Sequence, residues 1–185
     1  MPCKLLEARV GDTRTPQPVF ALVRLERRGI EALDGADLVL VAAEIGDPGN
    51  AGTLFRSAAA TGAQVVVLGP GSVDAYNPKV VRASAGACFA IRVVEAVPTL
   101  EVLEALGAGG ARRLGAVAHG GDAPESYDMR APTALVLGHE TRGLTTDMPL
   151  DGHVTIPMRA GESLNVAMAA TALLYEAARQ RRSDA

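Results

Sequence analysis

The chain is predicted to fold as an α/β domain, a mostly parallel open sheet with helices on both faces. Two observations carry this reading. Asp37–Ala42 and Gln64–Leu68 are near-continuous apolar runs of strand length, the pattern of strands covered on both sides. Between such runs stand Ala- and Leu-rich stretches entered through Gly/Pro turns, so strand and helix patterns alternate. With 185 residues and 48% hydrophobic content the chain can bury one sizeable core.

Taken in order, residues 1–34 hold Pro2, Pro16 and Pro18 and a bunch of cations, Arg24, Arg27 and Arg28. They read as an arm or the remnant of a preceding domain, with a short strand around Val19–Leu25. The strand Asp37–Ala42 follows, then a helix over Asn50–Thr61 and the strand Gln64–Leu68, closed by Gly69-Pro70-Gly71. A short helix around Pro78–Ser84 precedes a strand near Ala90–Val94. Pro98–Leu106 reads as a helix with proline in its favoured first position. Leu114–Ala118, Ala134–Leu137 and His153–Ile156 complete the strands. Ser163–Arg182 is the closing helix, and Arg179, Arg181 and Arg182 in its last turn oppose the helix dipole favourably.

Bulk chemistry narrows the function. A formal charge of −3 argues against a protein that coats nucleic acid non-specifically, which carries a basic stripe. Residues 33–150 hold eight basic and thirteen acidic residues, a net −5, so phosphate contacts must come from selected arginines. Arg24, Arg27, Arg28, Arg82 and Arg142 are the candidates, each equally readable as a solvated charge. Cys3 and Cys88 have no paired spacing, which points to a reducing, cytoplasmic setting. No apolar run reaches membrane-spanning length. His119, His139 and His153 are far apart, and no cluster has metal-ligand spacing, so no metal is expected. Walker-type, dinucleotide Gly-x-Gly-x-x-Gly and Gly-x-Ser-x-Gly motifs are all missing where they would be required.

In open parallel sheets ligands sit beyond the carboxyl ends of the strands. Three strand-end loops here are rich in Gly and polar side chains: Glu44–Arg56, Leu137–Leu144 and Ile156–Ala170. Each has an ordinary structural explanation. Asp47-Pro48-Gly49 is a turn sequence, with Asn50 able to cap a helix; Gly138 and Gly143 permit tight turns; Glu140 can pair with Arg142; Ser163 can cap the last helix. Three such loops on one sheet edge favour a site.

Their residues, Asn50-x-Gly52-x-x-x-Arg56-x-Ala58, Leu135-Val136-Leu137-Gly138-x-Glu140-x-x-Gly143-Leu144, and Ile156-Pro157-Met158 followed by Ser163-Leu164-Asn165-Val166, resemble the three signature motifs of SpoU/TrmH-type RNA 2′-O-ribose methyltransferases of the SPOUT superfamily. Arg82-Ala83-Ser84-x-Gly86-Ala87-x-Phe89 matches a further family segment, and the likeness runs from about residue 37 to 182. The resemblance implies a methyltransferase domain over residues 35–185, with residues 1–34 too short for the RNA-binding domain that many relatives carry. It implies a C-terminal trefoil knot, a rare exception among folds. It implies S-adenosylmethionine as cofactor, held at Leu137, Gly138, Ile156, Met158 and Leu164, and a tRNA or rRNA substrate. It implies catalytic roles for Arg56, Asn50, Glu140, Ser163 and Asn165. Arg56 is central: because a guanidinium stays protonated up to a pKa of about 12, it is read as binding an RNA phosphate and the 2′-oxygen rather than as a base. The resemblance further implies a homodimer paired through the knotted regions, each subunit helping to form the other's site. Two positions depart from the pattern: His139 stands where Asn or Ala is usual, and Arg142 where a small or polar residue is frequent. The alternatives are a SPOUT-type base methyltransferase, or a non-catalytic knotted protein that binds cofactor or RNA.

Overall fold

The computed structural model describes residues 22–139 and 142–182. Six parallel strands form one sheet: β1 (Leu38–Ala42), β2 (Val65–Leu68), β3 (Arg92–Glu95), β4 (Arg112–Ala116), β5 (Thr133–Leu137) and β6 (Gly152–Val154), in the order β3-β2-β1-β5-β4-β6. Among the described residues four α-helices accompany them: α1 (Pro48–Thr61), α2 (Pro78–Ala83), α3 (Thr99–Ala108) and α4 (Val166–Arg182). The chain winds outward from β1 to β3, then returns to the other side of β1, so β1 and β5 flank the point where the winding reverses.

Strand periodicity divides the core in two. Leu38, Leu40 and Ala42 of β1 face one layer, with Leu54 and Phe55 of α1 and Leu173 and Leu174 of α4; Val39 and Val41 face the other, with Val102, Leu103 and Leu106 of α3. All five β1 residues are at most 1% exposed, as expected of a strand covered on both sides. The most extensive helix–helix contact joins α1 to α4. Thr171 donates its hydroxyl to the Ala167 carbonyl at 2.7 Å, so Ser57, 2.6 Å from Thr171 Oγ1, is the donor across that otherwise apolar seam. Gly52 permits the contact of α1 with α2: a Cβ there would lie 2.4 Å from Ala83 Cβ and 2.8 Å from the Ser84 nitrogen.

Several expected boundaries shift for physical reasons. The α1 cap is Asp47, whose Oδ1 accepts from the Asn50 N–H at 2.8 Å; Asn50 lies inside the first turn. Pro98 is itself the N-cap of α3, which starts at Thr99. The closing helix starts at Val166, not Ser163, because Asn165 supplies the cap: its Oδ1 accepts from Ala167 N at 2.9 Å and Met168 N at 3.3 Å. Strand β3 begins at Arg92 and β6 ends at Val154. Of the strand expected over Val19–Leu25, Leu22–Leu25 are exposed and not in a strand, and Val19–Ala21 lie outside the described residues, as does Cys3. Arg28 makes an isolated bridge to Val94. In the last turn of α4, Arg181 bonds the carbonyls of Met129 (2.9 Å), Asp37 (2.8 Å) and Ala131 (3.0 Å), pinning the helix to the segments that enter β1 and β5. Among the described residues no helix is long and apolar enough to cross a membrane.

Candidate active site at the carboxyl ends of the strands

Register aligns the loops. Ala42 of β1 is level with Leu137 of β5, and Ala116 of β4 with Val154 of β6, so the chain leaves four adjacent strands along one edge. The Ala43 N–H donates to the Leu137 carbonyl at 2.9 Å, extending the pairing past the strand ends. Beyond this edge lies a cavity of ≈ 420 Å³. That size falls within the ~300–1,000 Å³ typical of small-molecule sites.

Its walls come from distant parts of the sequence. Leu137 ends β5 and Gly138, His139 and Gly143 follow it; Val154, Ile156 and Met158 belong to the end of β6 and the segment after it. Asn50 comes from α1, and Ser163, Leu164 and Asn165 precede α4, which adds Val166, Ala169 and Leu173. All five residues expected to hold the cofactor, Leu137, Gly138, Ile156, Met158 and Leu164, therefore line one cavity. So do Asn50, Ser163 and Asn165, and the Asn165 Nδ2 donates to Asn50 Oδ1 at 3.1 Å. The polar trio sits beside a largely aliphatic wall, a combination suited to a ligand with one flat apolar part and one polar part.

The remaining expected residues are placed differently. Arg56 is exposed, lies outside the cavity wall, and makes no hydrogen bond or ion pair among the described residues. Six residues on from Asn50, it projects from a different side of α1, at about 100° per residue. Glu140 lies outside the described residues. Gly138 serves the loop itself: a Cβ there would lie 2.1 Å from the Gly143 carbonyl carbon, so the glycine lets the turn fold back on its own backbone. His139 and Gly143 close that turn with reciprocal backbone bonds of 3.0 and 2.9 Å, and Gly143 has φ +70°.

Sequence reasoning missed three contributions. Ala116–Ala118, at the end of β4, form part of the wall, and Ala169 and Leu173 of α4 reach it as well. The third is Glu44. Its Oε2 accepts from Arg142 at 2.7 Å, and its Oε1 lies 3.5 Å from His139 Nε2. A carboxylate two residues past a buried strand, at the head of the loop Glu44–Arg56, was the signal available.

Residues 37–175 match the SpoU rRNA Methylase family. The chain belongs to that family. It is 41% identical over 142 residues to a 23S rRNA (uridine(2479)-2'-O)-methyltransferase of Streptomyces viridochromogenes, covering 72% of this chain and 50% of that protein. It is 35% identical over 170 residues to the 23S rRNA (guanosine(2553)-2'-O)-methyltransferase RlmP of Bacillus subtilis, covering 90% of this chain and 66% of that one. Among solved structures, the SpoU methyltransferase AviRb of S. viridochromogenes in complex with AdoMet superposes with TM-score 0.73 at 38% identity, over 83% of this chain and 64% of that one. A TrmH-family putative RNA methyltransferase from Porphyromonas gingivalis gives 0.76 at 33% identity, over 96% and 71%. This SpoU chain spans about half to two thirds of the length of its curated relatives.

Proposed function

We propose that the chain is an S-adenosylmethionine-dependent RNA methyltransferase that modifies a ribose 2′-hydroxyl in rRNA or tRNA. The observation that carries this is convergence: Asn50, Gly138, Ile156, Met158, Ser163, Leu164 and Asn165, spread over 116 positions, surround one cavity. Relatives named as 23S rRNA 2′-O-methyltransferases favour the ribose over a base nitrogen, and rRNA as the first substrate to test.

The cavity fits the cofactor by its size and by its aliphatic wall of Leu137, Ile156, Met158 and Leu164. Bound S-adenosylmethionine supplies an electrophilic sulfonium methyl. The protein's task is then alignment of the 2′-oxygen and removal of its proton. Alignment alone contributes about 7–11 kcal/mol at its upper end. Asn50 and Asn165, tied to each other, present amide groups at the cavity rim for the ribose, and Ser163 adds a hydroxyl beside them. Arg56 has no partner in its own chain among the described residues, so its guanidinium is available to an RNA phosphate and the 2′-oxygen. The proton passes to that phosphate or to water.

Because Arg56 lies outside its own cavity wall, we place it at the site of the partner subunit in a homodimer. Exposed Leu164 and Met168 flank the start of α4, where two copies would pair. Threading of α4 through a knot, an RNA-binding role for the segment before residue 35, and a cytoplasmic setting belong to the same reading. The test is incubation with labelled S-adenosylmethionine and total rRNA or tRNA, followed by nucleoside mass spectrometry. A 2′-O-methylnucleoside supports the ribose reading, a methylated base supports the base-modifying alternative, and no transfer to any RNA supports a non-catalytic binder.

A further inference from the structure

We infer that Glu44 is a positioning residue that clamps the wall of the cavity through His139 and Arg142, an inference that rests on the cofactor-binding reading above. Glu44 stands on firm ground. The next residue, Ile45, is fully buried; its N–H donates to Ser72 Oγ at 3.0 Å, and its carbonyl accepts from Val73 at 2.8 Å. These bonds lock the segment after β1 to the loop after β2. Gly71 leaves room for the carboxylate, since a Cβ there would come 3.1 Å from Glu44 Oε1.

From this post the carboxylate reaches across to the turn after β5. The Arg142 guanidinium donates to Oε2 at 2.7 Å, and His139 Nε2 faces Oε1 at 3.5 Å. His139 is further oriented by the Arg142 backbone N–H, which donates to Nδ1 at 3.3 Å. With Nδ1 accepting, the ring proton belongs on Nε2, facing the carboxylate. His139 lines the cavity, so whatever fixes its ring fixes part of the binding surface.

Energetics locate the effect. The Arg142 side chain is 70% exposed, and an ion pair so exposed adds little to global stability. Its consequence is local: it removes freedom from a turn that must hold its shape before ligand arrives, which is the route by which preorganisation raises affinity. Residues 44, 139 and 142 therefore act as one unit.

Two measurements test the clamp. In calorimetric titration with S-adenosylmethionine, Glu44→Gln and Arg142→Gln are each expected to raise Kd by about fivefold, and the double variant no further, because the pair is lost only once. Single effects that add in the double variant, or Kd values within twofold of wild type, overturn it. The second measurement needs no ligand. In the free protein, imidazole 15N shifts of His139, assigned with His139→Gln, are expected to report one tautomer in wild type and averaging in Glu44→Gln. Identical His139 spectra in the two overturn the clamp. If wild type fails to bind the cofactor, the functional reading falls, and the imidazole spectra alone decide the clamp.

Discussion

Asn165 faces two ways: its Nδ2 donates to Asn50 Oδ1 at 3.1 Å, while its Oδ1 caps α4 through the N–H groups of Ala167 and Met168. One side chain thus starts the last helix and ties it to the first turn of α1, 115 residues earlier. The two roles use different atoms, so they can be separated.

Asn165→Asp keeps the capping oxygen and replaces the donor. Its melting temperature should stay near wild type, while methyl transfer falls. Asn165→Ala loses both, and should also lose about 1 kcal/mol of stability, or roughly 2–4 °C in Tm for a chain of this size. Thermal melts by circular dichroism alongside transfer assays distinguish them; equal activity in Asn165→Asp and wild type would remove the Asn50 tie from the mechanism.

Arg56→Ala should leave stability within about 0.5 kcal/mol, as for an exposed residue without partners among those described. Cofactor affinity should hold within about twofold while transfer drops more than tenfold, the allocation expected of a group that touches the RNA and its reacting oxygen but not the cofactor. Mixing Arg56→Ala with Asn165→Ala subunits should restore part of the activity if Arg56 serves the other subunit's cavity. No recovery in a verified mixed dimer would return Arg56 to its own chain.

Gly138→Ala drives a Cβ to 2.1 Å from the Gly143 backbone, which must move because backbone has nowhere to yield. The turn should open, costing about 1–3 kcal/mol in urea unfolding and weakening cofactor binding together. Gly52→Ala, which meets Ala83 and Ser84 at 2.4–2.8 Å, should destabilise on the same scale, but its clash falls on the α1–α2 contact and Gly52 is not part of the cavity wall, so its cofactor affinity in the folded fraction should be retained.

Asp151 provides a pH-dependent contribution. Hydrogen bonds from the Arg113 guanidinium, at 2.8 and 2.7 Å, hold its carboxyl below the ordinary value of 3.8. A depressed folded-state pKa gives stability that is present above the unfolded value and lost as pH falls through the folded one. Wild type should therefore exceed Arg113→Gln by a constant margin at pH 5 to 7. The margin should shrink only as pH drops below about 4, the ordinary carboxylate range. Urea unfolding at pH 7, 5 and 3 checks this, and a margin that grew on acidification would contradict it.

Much of the fold was legible in the sequence. Apolar runs such as Leu38–Ala42 report burial on both faces, and that burial compels the parallel sheet. The three loops were legible too, because Gly and polar residues at strand ends have few purely structural uses in combination. Capping was less legible: Asp47, Asn50, Ser163 and Asn165 all suit a helix start, and only backbone geometry selects Asp47 and Asn165.

By itself, the sequence determined the strand and helix order and brought forward three loops that reach the cavity, since hydrophobic periodicity and turn chemistry act over a few residues. Tertiary structure alone decided which of them meet. The level carboxyl ends of β1, β5, β4 and β6 bring Asn50 to Asn165 and Glu44 to Arg142, pairings across 115 and 98 positions that no local pattern encodes. It also turned Arg56 away from its own cavity, because a helix carries residues six apart to different sides.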